Sequence, residues 1–218
     1  GTFGIVNAFS MHPLKSLNVM GDGGMIATNN KRLYSWIKKF RNHGMVSRDK
    51  IEFWGQNMRM QPLQSIVASH GLKKLKKTIE TRNRNAKFLD KELSKLGANV
   101  IIPKRVKGFV ETFSLYMCLV KKRDELIKFL NRKNIETKIH YPVPLHLQKA
   151  SKDLGYKKGD LPVAEKQAKH LITLPVHQFL KRNELYYIVA KIKSFYKKSN
   201  KYAWIQFVKD LPQRKEKY

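Results

Sequence analysis

One apolar stripe constrains this chain more than any other feature. A helical pattern begins at Pro62, and Leu72, Leu75, Ile79, Arg82, Ala86, Leu89, Leu93 and Leu96 then follow one another at alternating spacings of three and four. That period lines them up along one side of a helix. Sustained spacing of this kind also marks a coiled coil, but Arg82 and Ala86 interrupt the apolar seam, and Gly71 is placed to bend the helix near its start. The expectation is a long helix, with or without a kink, that leaves one domain and packs against a second.

The flanking segments add both kinds of regular structure. Residues 4–10 and 24–28 are short, apolar and partly β-branched, with turn residues at their ends, and read as strands. Asn29 and Asn30 offer caps to a helix carrying Leu33, Trp36, Ile37 and Phe40 on one face, which Gly44 can terminate. Beyond the stripe the pattern predicts a strand over 113–120, a helix over 124–133 and a strand over 135–141. Leu185, Ile188, Val189, Ile192 and Phe195 define the buried face of a last helix, and residues 197–218 decay into a basic tail whose only apolar cluster is Trp204, Ile205, Phe207 and Val208.

Composition narrows the classes. Of 218 residues, 45 are Lys or Arg and 16 are Asp or Glu, a formal net charge of +29, yet 42% are hydrophobic, too many for a disordered polycation. Such a charge suits nucleic acid, an anionic membrane surface or phosphorylated small molecules. The basic residues are scattered, as in Lys73, Lys74, Lys76 and Lys77 around Leu75, which reads as solvated helix face and gives no specific nucleic-acid site. The single cysteine, Cys118, can form no intramolecular disulfide and no thiolate metal site, so a cytoplasmic setting is expected, and no apolar run is long enough to span a membrane. The chain begins on Gly1 inside what reads as folded structure, the expectation for a piece of something longer.

Three local features could carry chemistry. Lys15 follows a strand ending in Ser10, stands two residues after Pro13 and precedes a glycine turn; under apolar cover such a lysine has a depressed pKa and serves as a Schiff-base nucleophile. Gly21-Asp22-Gly23-Gly24 lacks nucleotide-loop spacing and reads as a tight turn between strands. His140, His146, His170 and His177 have neither helical pairing nor a neighbouring cysteine, so no metal site is expected. The stretch from His140 to His146 holds two prolines and reads as a stiff loop presenting two imidazoles and the Tyr141 phenol.

Together these segments resemble the DegT/DnrJ/StrS family of pyridoxal-phosphate-dependent nucleotide-sugar aminotransferases. The matching stretches are Ser10-Met11-His12-Pro13-Leu14-Lys15 with Gly21-Asp22-Gly23-Gly24-Met25, Arg41-Asn42-His43-Gly44, Gly55-Gln56-Asn57-Met58-Arg59-Met60, the His140 to His146 loop, Leu154-Gly155-Tyr156 and Leu174-Pro175-Val176. Six such stretches in family order are far more specific than any one of them.

The resemblance implies an α/β chain with the type I fold of pyridoxal-phosphate-dependent transferases. Residues 1–75 would be a remnant of the large cofactor-binding domain, 76–96 the interdomain helix and 97–196 an α+β small domain. Lys15 falls where the family has the catalytic lysine that holds the cofactor as an imine, Ser10 where a hydroxyl contacts the cofactor phosphate, and Asn57 where an asparagine reaches the phosphate in the partner subunit of a homodimer with shared active sites. His12, Arg59, His140, Tyr141 and His146 fall where the family lines its nucleotide-sugar site. The implied reaction moves an amino group from an amino acid, glutamate on the family's pattern, to a keto sugar of a nucleoside diphosphate. The family's acidic partner of the pyridine nitrogen, its ring-stacking residue and its Gly-Thr phosphate loop lie upstream of the lysine segment, so the resemblance implies the C-terminal part of a member. A sister dehydratase branch carries histidine in place of the lysine, and Lys15 argues against it. An inactive remnant and a basic nucleic-acid-binding protein are the remaining readings.

Overall fold

The two short apolar runs near the start pair with each other. In the computed structural model, which describes residues 3–197, β1 (Asn7–Ser10) and β2 (Gly24–Ala27) run antiparallel, with Asn7 opposite Ala27 and Ser10 opposite Gly24. Residues 4–6 stay outside the pairing. The glycine segment is no tight turn: the chain travels through residues 11–23 before β2 begins. The Asn30 side chain then accepts from Leu33 N–H (3.0 Å) and starts helix α1 (Lys31–Phe40), as its capping chemistry dictates. Trp36 of α1 stacks with both Phe40 and Phe53, with ring centroids 4.7 and 5.6 Å away. Strands β3 (Met45–Ser47) and β4 (Lys50–Ile51) form a short hairpin after the Gly44 turn.

Helix α2 (Pro62–Leu93) is one uninterrupted helix, followed by a 3-10 segment, Ser94–Asn99. The helix runs through Gly71 without a break. A Cβ on Gly71 would stand 3.1 Å from Leu17 Cδ1, so the glycine admits the Leu17 side chain against the helix. The chain divides within α2 into two units, Gly1–Ile79 and Glu80–Tyr218. In the first unit Met11 and Val19 are the only buried apolar residues among those described.

The second unit holds an extensive core. Strands β5 (Val100–Ile101), β6 (Tyr116–Val120) and β7 (Leu171–Leu174) form an antiparallel sheet in the order β5-β6-β7, with Val100 opposite Val120 and Cys118 opposite Ile172. Leu89 and Leu93 of α2, Leu126 and Leu130 of α3 (Arg123–Asn131), and Ile188, Val189 and Ile192 of α5 (Arg182–Lys197) are buried in the cluster that also takes Tyr116, Cys118 and Ile172. Helix α4 (Pro162–His170) precedes β7. Burial removes apolar area from water at about 25 cal/mol per Å², which makes this cluster the main stabiliser of the unit. It also pushes the Cys118 thiol up to about 12, an inert core cysteine.

Several expectations change in detail. Arg82 does not interrupt the stripe: it is buried within it, donating from Nη1 to the Phe113 carbonyl (2.8 Å) and from Nε to Gln178 Oε1 (2.9 Å). With the Phe113 carbonyl taken by Arg82 and Phe113 at φ +44, the strand expected from 113 starts only at Tyr116. The helix expected to 133 ends at Asn131, because Asn134 turns left-handed at φ +57 and Ile135 N–H closes onto the Leu130 carbonyl at 3.0 Å. Residues 135–141 form no strand; a single bridge joins Lys138 to Thr173, and the prolines at 142 and 144 lack the N–H groups that would extend it. On α5, Tyr196 is buried and Phe195 only partly so. The tail expected over 197–218, with Trp204, Ile205, Phe207 and Val208, lies beyond Lys197 and outside the described residues. No described helix is long and apolar enough to cross a membrane.

Candidate active site

Lys15 sits on a turn that backbone geometry braces from several sides. Met11 N–H donates to the Gly23 carbonyl (2.8 Å) and Val19 N–H to the Met11 carbonyl (3.2 Å), so both ends of the loop are clamped on the buried Met11 and Val19. Gly23 is required there, since a Cβ would lie 2.5 Å from Val19 Cγ2. Gln64 of α2 donates to the Asp22 carbonyl (2.9 Å), and Leu17 packs at Gly71. Inside the loop, Lys15 N–H donates to the His12 carbonyl (2.8 Å), Leu14 N–H to His12 Nδ1 (3.2 Å) and His12 N–H to Ser10 Oγ (3.4 Å). Sequence reasoning placed Lys15 under apolar cover; the structure leaves it exposed, with its ammonium making no ion pair among the described residues. Ser10 and His12 are exposed beside it. The fold thus presents a primary amine and a hydroxyl on one rigid loop.

Asn57 and Arg59 form a second group in the same unit. Main-chain bonds from His43 N–H to the Gln56 carbonyl (3.0 Å) and from Met58 N–H to the Arg41 carbonyl (2.9 Å) set Asn42 opposite Asn57. Arg59 then donates from Nε to Asn57 Oδ1 (2.8 Å) and from Nη1 to Asn42 Oδ1 (3.2 Å). Asn57 and Arg59 line a cleft of about 1160 Å³ together with Phe9, Met25, Tyr34 and Trp36. Ser10, His12 and Lys15 are not among the residues lining it.

The histidine loop lies in the second unit, and its members differ from one another. His140 is half-buried with Nδ1 2.9 Å from Thr173 Oγ1, whereas Tyr141 is 75% exposed. His146 is buried, and its Nε2 lies 3.0 Å from Glu165 Oε1, which also accepts from Gly159 N–H (2.7 Å). His146, then the Gly159 N–H, hold the Glu165 carboxyl below the ordinary carboxylate range. His146 Nε2 is thus engaged by Glu165, so this side of the imidazole, expected to face substrate, meets a carboxyl of α4. Glu165 had no sequence signal beyond its place in the first turn of α4. Asn42 was visible only inside the Arg41-Asn42-His43-Gly44 stretch, with no role attached. No cluster of potential metal ligands occurs among the described residues.

Comparison with known proteins places this geometry. The model of the DegT/DnrJ/EryC1/StrS aminotransferase family matches residues 1–193. A pleiotropic regulatory protein of Geobacillus stearothermophilus is 37% identical, over 90% of this chain and 53% of its own length. A dTDP-3-amino-3,4,6-trideoxy-alpha-D-glucose transaminase of Streptomyces venezuelae is 29% identical, over 87% of this chain and 50% of its own length. Among solved structures, a DegT DnrJ EryC1 StrS aminotransferase from Brucella abortus superposes with a TM-score of 0.82 at 30% identity, over 88% of this chain and 51% of that one. The chain spans about half the length of the relatives it matches, and over that span it has their type I pyridoxal-phosphate-dependent fold. With the lysine loop, the Asn57 segment and the histidine loop all inside the matched span, the chain belongs to the DegT/DnrJ/EryC1/StrS aminotransferase family.

Proposed function

We propose that the protein is a sugar aminotransferase that uses pyridoxal 5'-phosphate to move an amino group, from glutamate as donor, onto the keto sugar of a nucleoside diphosphate, and that it works as a cytoplasmic homodimer with shared active sites. The observation that carries this reading is Lys15: an exposed, unpaired amine on a loop clamped at both ends. The residues fit the cofactor's chemistry. An accessible amine can form an imine with an aldehyde, and Ser10 Oγ, which accepts from His12 N–H, keeps its own proton to donate to a phosphate oxygen. When bound, the cofactor would supply an electron sink for the carbon that loses or gains the amino group.

In this reading Lys15 would hold the cofactor through its Nζ amine, and the free amine would serve as the base that takes and returns the proton at the substrate carbon. Asn57 donates to the phosphate held in the partner subunit's site. His12, Arg59, His140 and Tyr141 border the nucleotide sugar, with the buried His146 fixing the loop that carries Tyr141. Residues 1–75 belong to the cofactor domain, 76–96 to the interdomain helix and 97–196 to the small domain. The transaminase relative from Streptomyces venezuelae, whose name specifies a dTDP-linked amino sugar, supports the substrate class.

The test is covalent trapping. With one equivalent of pyridoxal phosphate per chain, borohydride reduction should fix the label on the peptide containing Lys15, and Lys15→Ala should abolish it. Label spread over surface lysines, or recovered on another single lysine, rejects the assignment.

A further inference from the structure

Arginine can only donate hydrogen bonds, and this decides the orientation of two amides. Arg59 donates from Nε to Asn57 Oδ1 at 2.8 Å and from Nη1 to Asn42 Oδ1 at 3.2 Å. Both amides therefore turn their oxygens toward the guanidinium and their NH2 groups away from it. The order of the three residues is fixed by their positions. Asn57 and Arg59 line the cleft, and Asn42 does not. Asn42 is held opposite Asn57 by the main-chain bridge, independent of either side chain.

We propose that Asn42 and Arg59 are positioning residues: Asn42 anchors Arg59, and Arg59 locks Asn57 with its NH2 group offered as a donor to a phosphate monoester. An unrestrained asparagine presents oxygen or nitrogen with nearly equal ease, and the oxygen would repel a phosphate. The lock removes that choice before the ligand arrives, and the guanidinium adds positive charge behind the donor. Arg59, which sequence reasoning set against the nucleotide sugar, has two of its donors committed to this lock. The inference rests on the reading that Asn57 reaches a phosphate.

The experiment compares affinities of the full chain for pyridoxal phosphate and for pyridoxal, which lacks the phosphate. Asn57→Ala, Arg59→Met and Asn42→Ala should each weaken pyridoxal phosphate about tenfold, the loss of one oriented hydrogen bond, and leave pyridoxal unchanged. Asn42→Asp keeps an acceptor for Arg59 and should retain wild-type discrimination. If Asn57→Ala costs affinity and both Asn42→Ala and Arg59→Met do not, the lock is wrong and the phosphate reading stands. If Asn57→Ala leaves discrimination intact, the phosphate reading itself falls. A second readout needs no variant to fold: in protein labelled with 15N-asparagine, the Asn57 NH2 signal should shift on titration with inorganic phosphate. An unmoved signal counts against the donor orientation.

Discussion

Gly44→Ala should dismantle the support of Asn57 from a distance. Gly44 adopts φ +72, and a Cβ there would stand 1.6 Å from the Phe53 carbonyl oxygen and 2.7 Å from its carbon. Both are backbone atoms, so no rotamer relieves the clash. The two strands of chain have to part by about 2 Å to regain ordinary contact. A left-handed alanine costs roughly 1–2 kcal/mol and overpacking about 1–3 more, for a sum of about 2–5 kcal/mol. The segments forced apart are those joined by Gln56 N–H to the Phe40 carbonyl (2.7 Å) and by the His43–Gln56 and Met58–Arg41 bonds (3.0 and 2.9 Å), the last two of which set Asn42 opposite Asn57.

Because the chain has two units, a global melt would mix their responses, so amide hydrogen exchange is the better assay. At the lower bound of about 2 kcal/mol, protection of the His43, Gln56 and Met58 amides should fall about 30-fold, with the β6 amides unaffected. Gly155→Ala is the control, since Gly155 has a similar φ of +77 but nothing within 4 Å of a Cβ. It should show only the backbone part of the cost, within its own loop. Unchanged protection around Asn57, or a Gly44→Ala effect no larger than that of Gly155→Ala, would refute the steric reasoning.

Other predictions concern the second unit and the proposed sharing of sites between subunits. The Glu92 carboxyl is held down to about 2 by Lys193 and then Lys95. Its stabilisation is therefore present above the unfolded carboxyl range near 4.3 and lost as pH falls toward about 2; Glu92→Gln should flatten that acid limb in denaturant titrations, and an unaltered slope would contradict it. Leu89 is fully buried, and Leu89→Ala should lower the stability of the second unit by about 2–5 kcal/mol, read from hydrogen exchange of the β6 amides; a loss under about 1 kcal/mol would mean that the core collapses around the vacancy. If the proposed shared-site dimer holds, co-expressing Lys15→Ala with Asn57→Ala chains should restore part of the activity that each parent lacks, because a mixed dimer would retain one intact site. No recovery in proven mixed dimers argues against sharing.

The sequence by itself determined what short-range physics controls. Asn30 caps α1 because its oxygen reaches a main-chain N–H three residues on, and α2 and α5 follow from apolar spacing that any helix must obey. The six matching stretches identified the family because so many short residue patterns in one order are rare by chance. Tertiary structure alone decided which polar groups meet. Arg82 looked like a break in a seam until Phe113 and Gln178, distant in the chain, supplied acceptors that let it be buried. The pairing of His146 with Glu165, and the Arg59 guanidinium bonds that join Asn42 to Asn57, had no signal in the sequence. A hydrogen bond depends on angstrom-scale distance and direction between groups that sequence spacing does not relate, so the partners of a polar side chain become legible only once the chain has folded.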